Sequence, residues 1–504
     1  MQCLIRENNL TRKTVLSLNE QLEGIRDSFT FIVPELILTS ALLLILTAGL
    51  IDNTRNILFN VITLVAAICS MIGVILGGFE PSIDLFNALL QREGFGSFLI
   101  LLVDASVALT CLMSLSESGK AHRSEYYALV ISIGLGSHLL LMSSNLMMVF
   151  LSLEVISISS YILAGYSFNK PGSEGSLKYF LFGSIASAIM LYGFSLLYGF
   201  TGTLDFTSTL FFEKLVNVQS PLLLIAGFMG LCGFLFKTAA VPMHPWAPDV
   251  YEAAPLPVIA YVSTGPKVAA VGVLTKFLLS MHLFGQGQID WQALIAVVAI
   301  LTITVGNLSA LWQNDPKRMM AYSSIAQSGF LFVGIAAFIP QGLQFMLFYA
   351  AVYLLMNFSV FVYLMYFERQ GVYGMTSHTG VGKTLIWASA GLTIALVALA
   401  GLPPTAGFTA KLLIFSSLWE AYQATDKVLL LWLLVFGLLN TVISLFFYLR
   451  IPYYAFIRAG ESIAVRKKAG FENLLGFILV VLIVGLFFVP GLLMGLINRI
   501  NFVL

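Results

Sequence analysis

Apolar runs recur along nearly the whole chain, each close to the roughly 20 residues a helix needs to cross about 30 Å of hydrocarbon. Fourteen can be placed, at about 31–51, 57–78, 97–115, 125–142, 145–166, 176–199, 221–242, 257–281, 291–312, 319–339, 342–367, 384–402 continuing to 420, 428–451 and 473–495. Barrel strands are short and alternate in polarity, so the pattern predicts an all-α integral membrane protein. The first 28 residues stand apart: they are polar, mixed in charge from Arg6 to Asp27, and lack an apolar core. They are too polar for a signal peptide and predict a disordered or surface-lying tail.

Two runs are interrupted. One breaks after Lys237, where Pro242, Pro245 and Pro248 fall within seven residues. The other breaks at Gly401-Leu402-Pro403-Pro404. Proline removes a backbone donor and clashes with the preceding turn. The carbonyls so freed are tolerated in a membrane only when buried in protein or lining a wet cavity. The interruptions fall in the seventh and twelfth spans. Matching broken helices in two halves are a mark of inverted-repeat transporters, although a kinked packing helix would read the same way.

Composition agrees. Of 504 residues, 59% are hydrophobic and 10% charged, against about 45–50% and about 25% in soluble domains. That excludes a soluble enzyme, a nucleic-acid binder and a disordered chain. The net charge of +1 identifies no partner. Cys3, Cys69, Cys111 and Cys232 lack any paired spacing for zinc, an iron–sulfur cluster or a disulfide framework, and at least three of them read as buried small hydrophobes.

The positions of the charges say more than their sum. Loops joining odd spans to even ones, with their helix edges, carry 14 basic residues: Arg55, Lys120, Arg123, Lys170, Lys178, Lys317, Arg318, Arg369, Lys383, Arg450, Arg458, Arg466, Lys467 and Lys468. The opposite loops and C-terminus carry 4, namely Arg92, Lys214, Lys427 and Arg499. The tail adds Arg6, Arg12, Lys13 and Arg26. Basic residues favour the cytoplasmic side, so the asymmetry predicts both termini on the other side. Four lysines remain, all in predicted helices: Lys237, Lys267, Lys276 and Lys411. Lys276, near the end of its span, reads as a snorkelling residue. A central lysine costs about 2.5–3.5 kcal/mol on insertion scales, so the other three need a reason.

Among the acids, Glu154 sits mid-span, Asp104 lies inside the third span, and Asp249 and Glu252 follow the first break. Buried acids and lysines each favour neutrality alone and charge when brought together. Glu154 with three buried lysines therefore reads as a set of sites that handle protons, against the alternative of static ion pairs. Asp104 reads as structural, close to the outer interface. His244, in the first break, suits either proton transfer or a bond to a freed carbonyl, and His138 reads as a satisfied packing residue. No phosphate loop, HExxH helix, nucleophile elbow, haem or iron–sulfur pattern is present, so the chain has no visible redox chemistry of its own.

Three segments carry a resemblance. Residues 236–255, from Phe236-Lys237-Thr238 through Val241-Pro242-Met243-His244-Pro245-Trp246 to Asp249-Val250-Tyr251-Glu252 and Pro255, resemble the signature of the antiporter-like membrane subunits of respiratory complex I. So do Ala321-Tyr322-Ser323-Ser324-Ile325-Ala326 and Gly401-Leu402-Pro403-Pro404-Thr405-Ala406-Gly407-Phe408. Within that group, Asp249-Val250-Tyr251-Glu252 and the run Ser176 to Ser184 are most similar to the branch called subunit N. Subunit M would be expected to carry alanine-histidine at Val250-Tyr251 and an acid at Lys411. Subunit L would continue into a long lateral helix, whereas this chain stops at Leu504.

Leaving the tail (1–28) outside, the resemblance implies three first helices (29–124), inverted five-helix repeats at 125–284 and 285–455, and a final loop and helix (456–504). It also implies that Glu154 pairs with Lys237, and that Lys267 and Lys411 continue a hydrated axis along the membrane plane. Opening the pair would release the lysine's proton along the axis, with Lys411 at the far end. No cofactor is implied for this chain: NADH, FMN, iron–sulfur clusters and quinone would belong to partner subunits, alongside subunit M and small membrane subunits. The setting implied is the inner (plasma) membrane. The family often has histidine after Ala326, and here stands Gln327, which cannot titrate, so the tenth span would contribute a water relay at most. The rival readings are a subunit of a multi-subunit cation/proton antiporter or membrane-bound hydrogenase, or a non-pumping scaffold.

Overall fold

The computed structural model describes residues 18–52, 56–79, 82–116, 124–216, 218, 220–283, 290–458 and 470–500. Among these, twelve helical segments are long and apolar enough to cross a membrane, and two shorter apolar helices accompany them. The shorter ones, α9 (Leu222–Thr238) and α16 (Ile386–Ala400), are the first halves of the two broken spans. Their second halves are α10 (Trp246–Ala253) and α17 (Ala406–Thr425). The fourteen apolar runs thus each correspond to a helix or a broken pair.

The chain begins with α1 (Leu18–Phe31), α2 (Val33–Ile51) and α3 (Asn56–Leu76). A short antiparallel hairpin of β1 (Ile83–Leu85) and β2 (Leu90–Arg92) leads into α4 (Gly94–Ser116) and α5 (Ser124–Met142). Next come α6 (Leu146–Ala164), α7 (Lys170–Thr201) and the short α8 (Thr209–Val216) before α9 and α10. The eighth span is α11 (Leu256–Val262) with α12 (Gly265–Leu283), followed by α13 (Trp291–Leu311), α14 (Pro316–Ala336) and α15 (Pro340–Arg369). After α16 and α17 come α18 (Val428–Tyr448), α19 (Phe471–Phe488) and α20 (Gly491–Ile497).

Helices α11, α12, α14 and α15 are buried almost all round, whereas α2, α18 and α19 bury only about a third of their residues. The exposed residues of the outer helices are large and apolar, such as Leu43, Leu44, Ile57, Ile72, Phe446 and Phe477. A helix can carry such a face without a protein partner only where lipid covers it. The polar side chains of the buried helices must therefore find partners inside the protein.

Several expectations need correction. From Leu18 the tail forms α1, a largely exposed helix in keeping with the surface-lying alternative and not the disordered one, whose Ser28 hydroxyl donates to the Gly24 carbonyl and accepts from the Phe86 amide. Its first 17 residues lie outside the described ones, as do Cys3, Arg55, Lys120, Arg123, Arg466, Lys467 and Lys468. Cys111 and Cys232 are buried, but Cys69 is exposed on the lipid-facing side of α3. The eighth span is not continuous. Pro266 lacks the N–H that would bond the Val262 carbonyl, and the helix divides at Ser263-Thr264. Lys276 does not snorkel: it is 8% exposed and pairs with Glu93 at 2.8 Å. Asp104, read as structural, is fully buried among α3, α4 and α5 and bonded to Ser70 and His138.

Candidate functional site

Each of the three deep lysines stands beside a place where a helix stops. Lys237 lies in the last turn of α9, which ends when Ala239 takes a left-handed conformation with φ 55°. The prolines that follow cannot extend the helix, and the freed backbone is satisfied within the protein. The Val241 amide donates to Thr302 Oγ1 on α13 at 3.1 Å, and Trp246 Nε1 donates to the Phe236 carbonyl at 3.1 Å. Trp246 in turn stacks on Tyr179, with ring centroids 4.1 Å apart. Lys237 Nζ rests against that platform, donating to Ser160 Oγ on α6 at 3.3 Å and to the Tyr179 hydroxyl at 3.5 Å.

Glu154 shares α6 with Ser160 and lies within electrostatic reach of Lys237. The two form no ion pair among the described residues, and Glu154 Oε1 is buried without a hydrogen-bond partner there. The structure therefore holds them near each other but apart, with a serine and a tyrosine taking up the lysine.

Helix α14 carries the contacts onward. Ser328 Oγ donates to the Thr238 carbonyl, next to Lys237 in the chain, at 2.7 Å. The same hydroxyl accepts from Lys267 Nζ at 3.3 Å. Lys267, three residues past the division of the eighth span, also donates to the Ser324 hydroxyl at 3.0 Å and the Ser324 carbonyl at 3.1 Å. Ser324 and Ser328 are one helical turn apart and so share a face. The Tyr251 hydroxyl closes on Ser324 Oγ at 3.0 Å.

The adjacent face of α14 turns the other way. Ser323 meets the Tyr448 hydroxyl, and Gln327 Nε2 donates both to Tyr448 and to the Leu399 carbonyl, each at 3.2 Å. Tyr349 donates to Gln327 Oε1. Lys411 reaches back across the second break to the carbonyls of Leu399 at 3.0 Å and Ala400 at 2.8 Å, with its ammonium 4.5 Å from the centroid of the Phe330 ring. These carbonyls end α16, where backbone acceptors lack intrahelical donors and a cation is favoured.

The structure thus arranges Lys237, Lys267, Gln327 and Lys411 in a series around α14: one face bonds Lys267 and the carbonyl beside Lys237, the adjacent face carries Gln327, which shares the Leu399 carbonyl with Lys411, and Glu154 lies near Lys237. His244 stands beside it in the first break, its Nδ1 buried without a partner among the described residues. Asp249 and Glu252 belong to a different cluster. Asp249 pairs with Lys178 at 2.9 Å and Arg318 at 3.0 Å, and Arg318 also pairs with Glu252 at 2.7 Å, tying α7, α10 and α14 together. Asp104 stands apart from the series, bonded to His138 and Ser70. Sequence reasoning missed Ser160, Tyr179, Tyr251, Ser324, Ser328, Tyr349 and Tyr448. For the serines a signal existed: a pair spaced i, i+4 in a span that is buried on every side.

Residues 143–444 match the family described as "NADH:quinone oxidoreductase/Mrp antiporter, TM". The chain belongs to this family. It is 35% identical to NADH-quinone oxidoreductase subunit N 2 of Chloroherpeton thalassium, over 94% of this chain and 95% of the relative. It is likewise 35% identical to NAD(P)H-quinone oxidoreductase subunit 2 of a Synechococcus strain, over 83% of this chain and 78% of that one. Among solved structures it is similar to a chain of respiratory complex I from Thermus thermophilus, at 27% identity, with a TM-score of 0.77, covering 93% of this chain and all of the other. A chain of the Mrp complex from a Dietzia species shares the fold, with a TM-score of 0.78 at 20% identity and 94% of this chain covered.

Proposed function

We propose that the chain is the subunit N component of the membrane arm of a proton-pumping NADH-quinone oxidoreductase, and that protons cross the arm through Glu154, Lys237, Lys267 and Lys411. The observation that carries the reading is the series around α14, in which Ser328 bonds Lys267 and the carbonyl of Thr238, next to Lys237 in the chain, and Lys411 shares an acceptor with Gln327. Its support from relatives is their naming as subunit N at 35% identity over nearly the full chain.

The residues suggest how. A carboxylate beside a buried ammonium favours the protonated lysine, and separating them weakens its hold on the proton. Glu154 and Lys237 stand apart with Ser160 and Tyr179 as alternative partners, so a small movement of α6 against α9 switches the lysine between two sets of neighbours. Hydroxyls accept and donate at once. Ser328 and Ser324 can therefore exchange a proton with Lys267, and transfer between Lys237 and these hydroxyls is left to water. Gln327, which cannot titrate, orients Tyr349 and Tyr448 and leaves transfer toward Lys411 to water. His244 is a secondary relay at the first break. NADH, FMN, iron–sulfur clusters and quinone act in partner subunits, and the drive reaches this chain through contacts with subunit M and small membrane subunits.

The inverted repeats are assigned to 125–284 and 285–455. The membrane is the inner (plasma) membrane, and both termini face away from the cytoplasm, on the asymmetry of basic residues between the two sets of loops. Affinity purification of the chain from native membranes tests the assignment. Recovery of flavin- and iron–sulfur-containing partners is expected. Recovery of small antiporter subunits without them would favour the Mrp reading instead.

A further inference from the structure

A second buried titratable group lies outside the lysine series. His138, fully buried near the end of α5, is bonded through Nδ1 to Glu35 Oε1 at 2.9 Å and through Nε2 to Asp104 Oδ1 at 3.0 Å. Ser70 on α3 donates to the other oxygen of Asp104 at 2.7 Å. Four helices, α2 to α5, therefore converge on one polar centre in a region otherwise packed with apolar side chains.

Proton counting defines what this centre can do. Each nitrogen–oxygen line holds one proton, whichever partner carries it, so the three groups with two protons bear a net charge of −1. Both nitrogens of His138 and both oxygens of Asp104 are occupied. One position is open: Glu35 Oε2 is buried and has no partner among the described residues. A proton placed there makes the centre neutral. The other groups around it are Arg92 and Glu93 from the hairpin, Lys276 on α12 and Tyr261 on α11. Lys276 is engaged with Glu93 and the Tyr261 hydroxyl donates to the Val130 carbonyl. Arg92 lies within electrostatic reach of Glu35, yet spends Nη1 on the Phe31 carbonyl at 2.6 Å and keeps Nη2 buried without a partner among the described residues. An isolated negative charge at this depth needs compensation, and only a proton or the Arg92 guanidinium is at hand. A metal ion is a poor fit, because both ring nitrogens already face carboxylates, and a hard cation wants about six oxygen ligands.

We propose that Glu35, His138 and Asp104 form a second proton-binding site, which takes up one proton at Glu35 Oε2 in competition with the Arg92 guanidinium. The site is separate from the lysine series and does not require turnover to be filled. It gives the junction between the first three spans and the first assigned repeat a proton-dependent charge of its own.

Infrared difference spectra of the intact complex in membranes, recorded between pH values, test it. A carboxylic-acid C=O band that grows as pH falls and shifts in D2O is expected in the wild type and absent in Glu35→Gln, which keeps the bond to His138 but cannot take the proton. Ser70→Ala removes a donor to Asp104, so that Asp104 draws more strongly on the His138 proton and the negative form at Glu35 is less stabilised, and it moves the band's midpoint to higher pH. Identical spectra in the wild type and Glu35→Gln would overturn the proposal. Should Glu35→Gln fail to assemble, Ser70→Ala decides alone: an unmoved midpoint overturns it. Because the band is read without electron transfer, its absence leaves the lysine series untouched, and a failure of pumping through that series leaves the band in place.

Discussion

Gln327 and Lys411 donate to the same backbone carbonyl, that of Leu399, at 3.2 and 3.0 Å. That oxygen ends a helix at the second break, so an uncharged amide on α14 and a cation on α17 are held by one acceptor. Replacing Gln327 with leucine would leave the hydroxyls of Tyr349 and Tyr448 short of a partner, at a cost of about 1–3 kcal/mol for a buried unsatisfied group. Gln327→Leu is therefore expected to lower the thermal stability of the purified complex. Gln327→His, which restores both a donor and an acceptor, should recover most of it. Equal melting of all three forms would contradict this.

Ser328 is the narrowest link, since it alone bonds both Lys267 and the carbonyl beside Lys237. Alanine at this position removes about 1 kcal/mol of hydrogen bonding. If that bond shapes the transfer step, coupled proton uptake in Ser328→Ala should slow about five-fold while assembly stays normal. Stopped-flow uptake in vesicles reads the rate, and an unchanged rate places the path elsewhere.

Much of this arrangement was legible in the chain itself, and the reasons for the remainder are physical. Apolar runs located the spans because lipid demands length and hydrophobicity together, and the prolines at 242, 245, 403 and 404 located the breaks because they remove backbone donors. The division at Ser263-Thr264 is not marked in the sequence by a proline cluster, since Pro266 stands within a span long and apolar enough to read as one helix. The three deep lysines stood out by their cost in a membrane. Their partners did not, since serine and tyrosine are common in spans and only the packing of α6, α7 and α14 shows which of them meet the lysines. The bond from His138 to Glu35 joins residues 103 positions apart. No local periodicity encodes such a contact.

The Asp249 cluster makes a pH prediction. Asp249 is held by Lys178 at 2.9 Å and Arg318 at 3.0 Å, and protonating or neutralising its carboxyl removes both ion pairs. Asp249→Asn should melt earlier than the wild type at neutral pH, with the gap closing once the wild-type carboxyl is protonated in the acid range. A gap independent of pH would show that the cluster contributes through packing alone.

The second break depends on close approach. A Cβ at Gly407 would land on the Ala398 carbonyl oxygen and crowd Met356 Sδ, whereas one at Gly485 meets nothing within 4 Å. Gly407→Ala forces backbone movement, costing about 1–3 kcal/mol or more, and should reduce the amount of subunit assembled in the membrane. Gly485→Ala should assemble normally. Comparison of the two by native gel gives the contrast, and equal assembly would mean the break can shift at little cost.

The role of the lysine series is tested most directly at Lys237, the residue that Glu154 approaches and that Ser160 and Tyr179 hold. Lys237→Ala in the intact complex should leave the quinone-reductase rate largely intact in uncoupled vesicles while lowering the protons taken up per electron. Pumping per electron equal to that of the wild type would contradict a proton path through these residues.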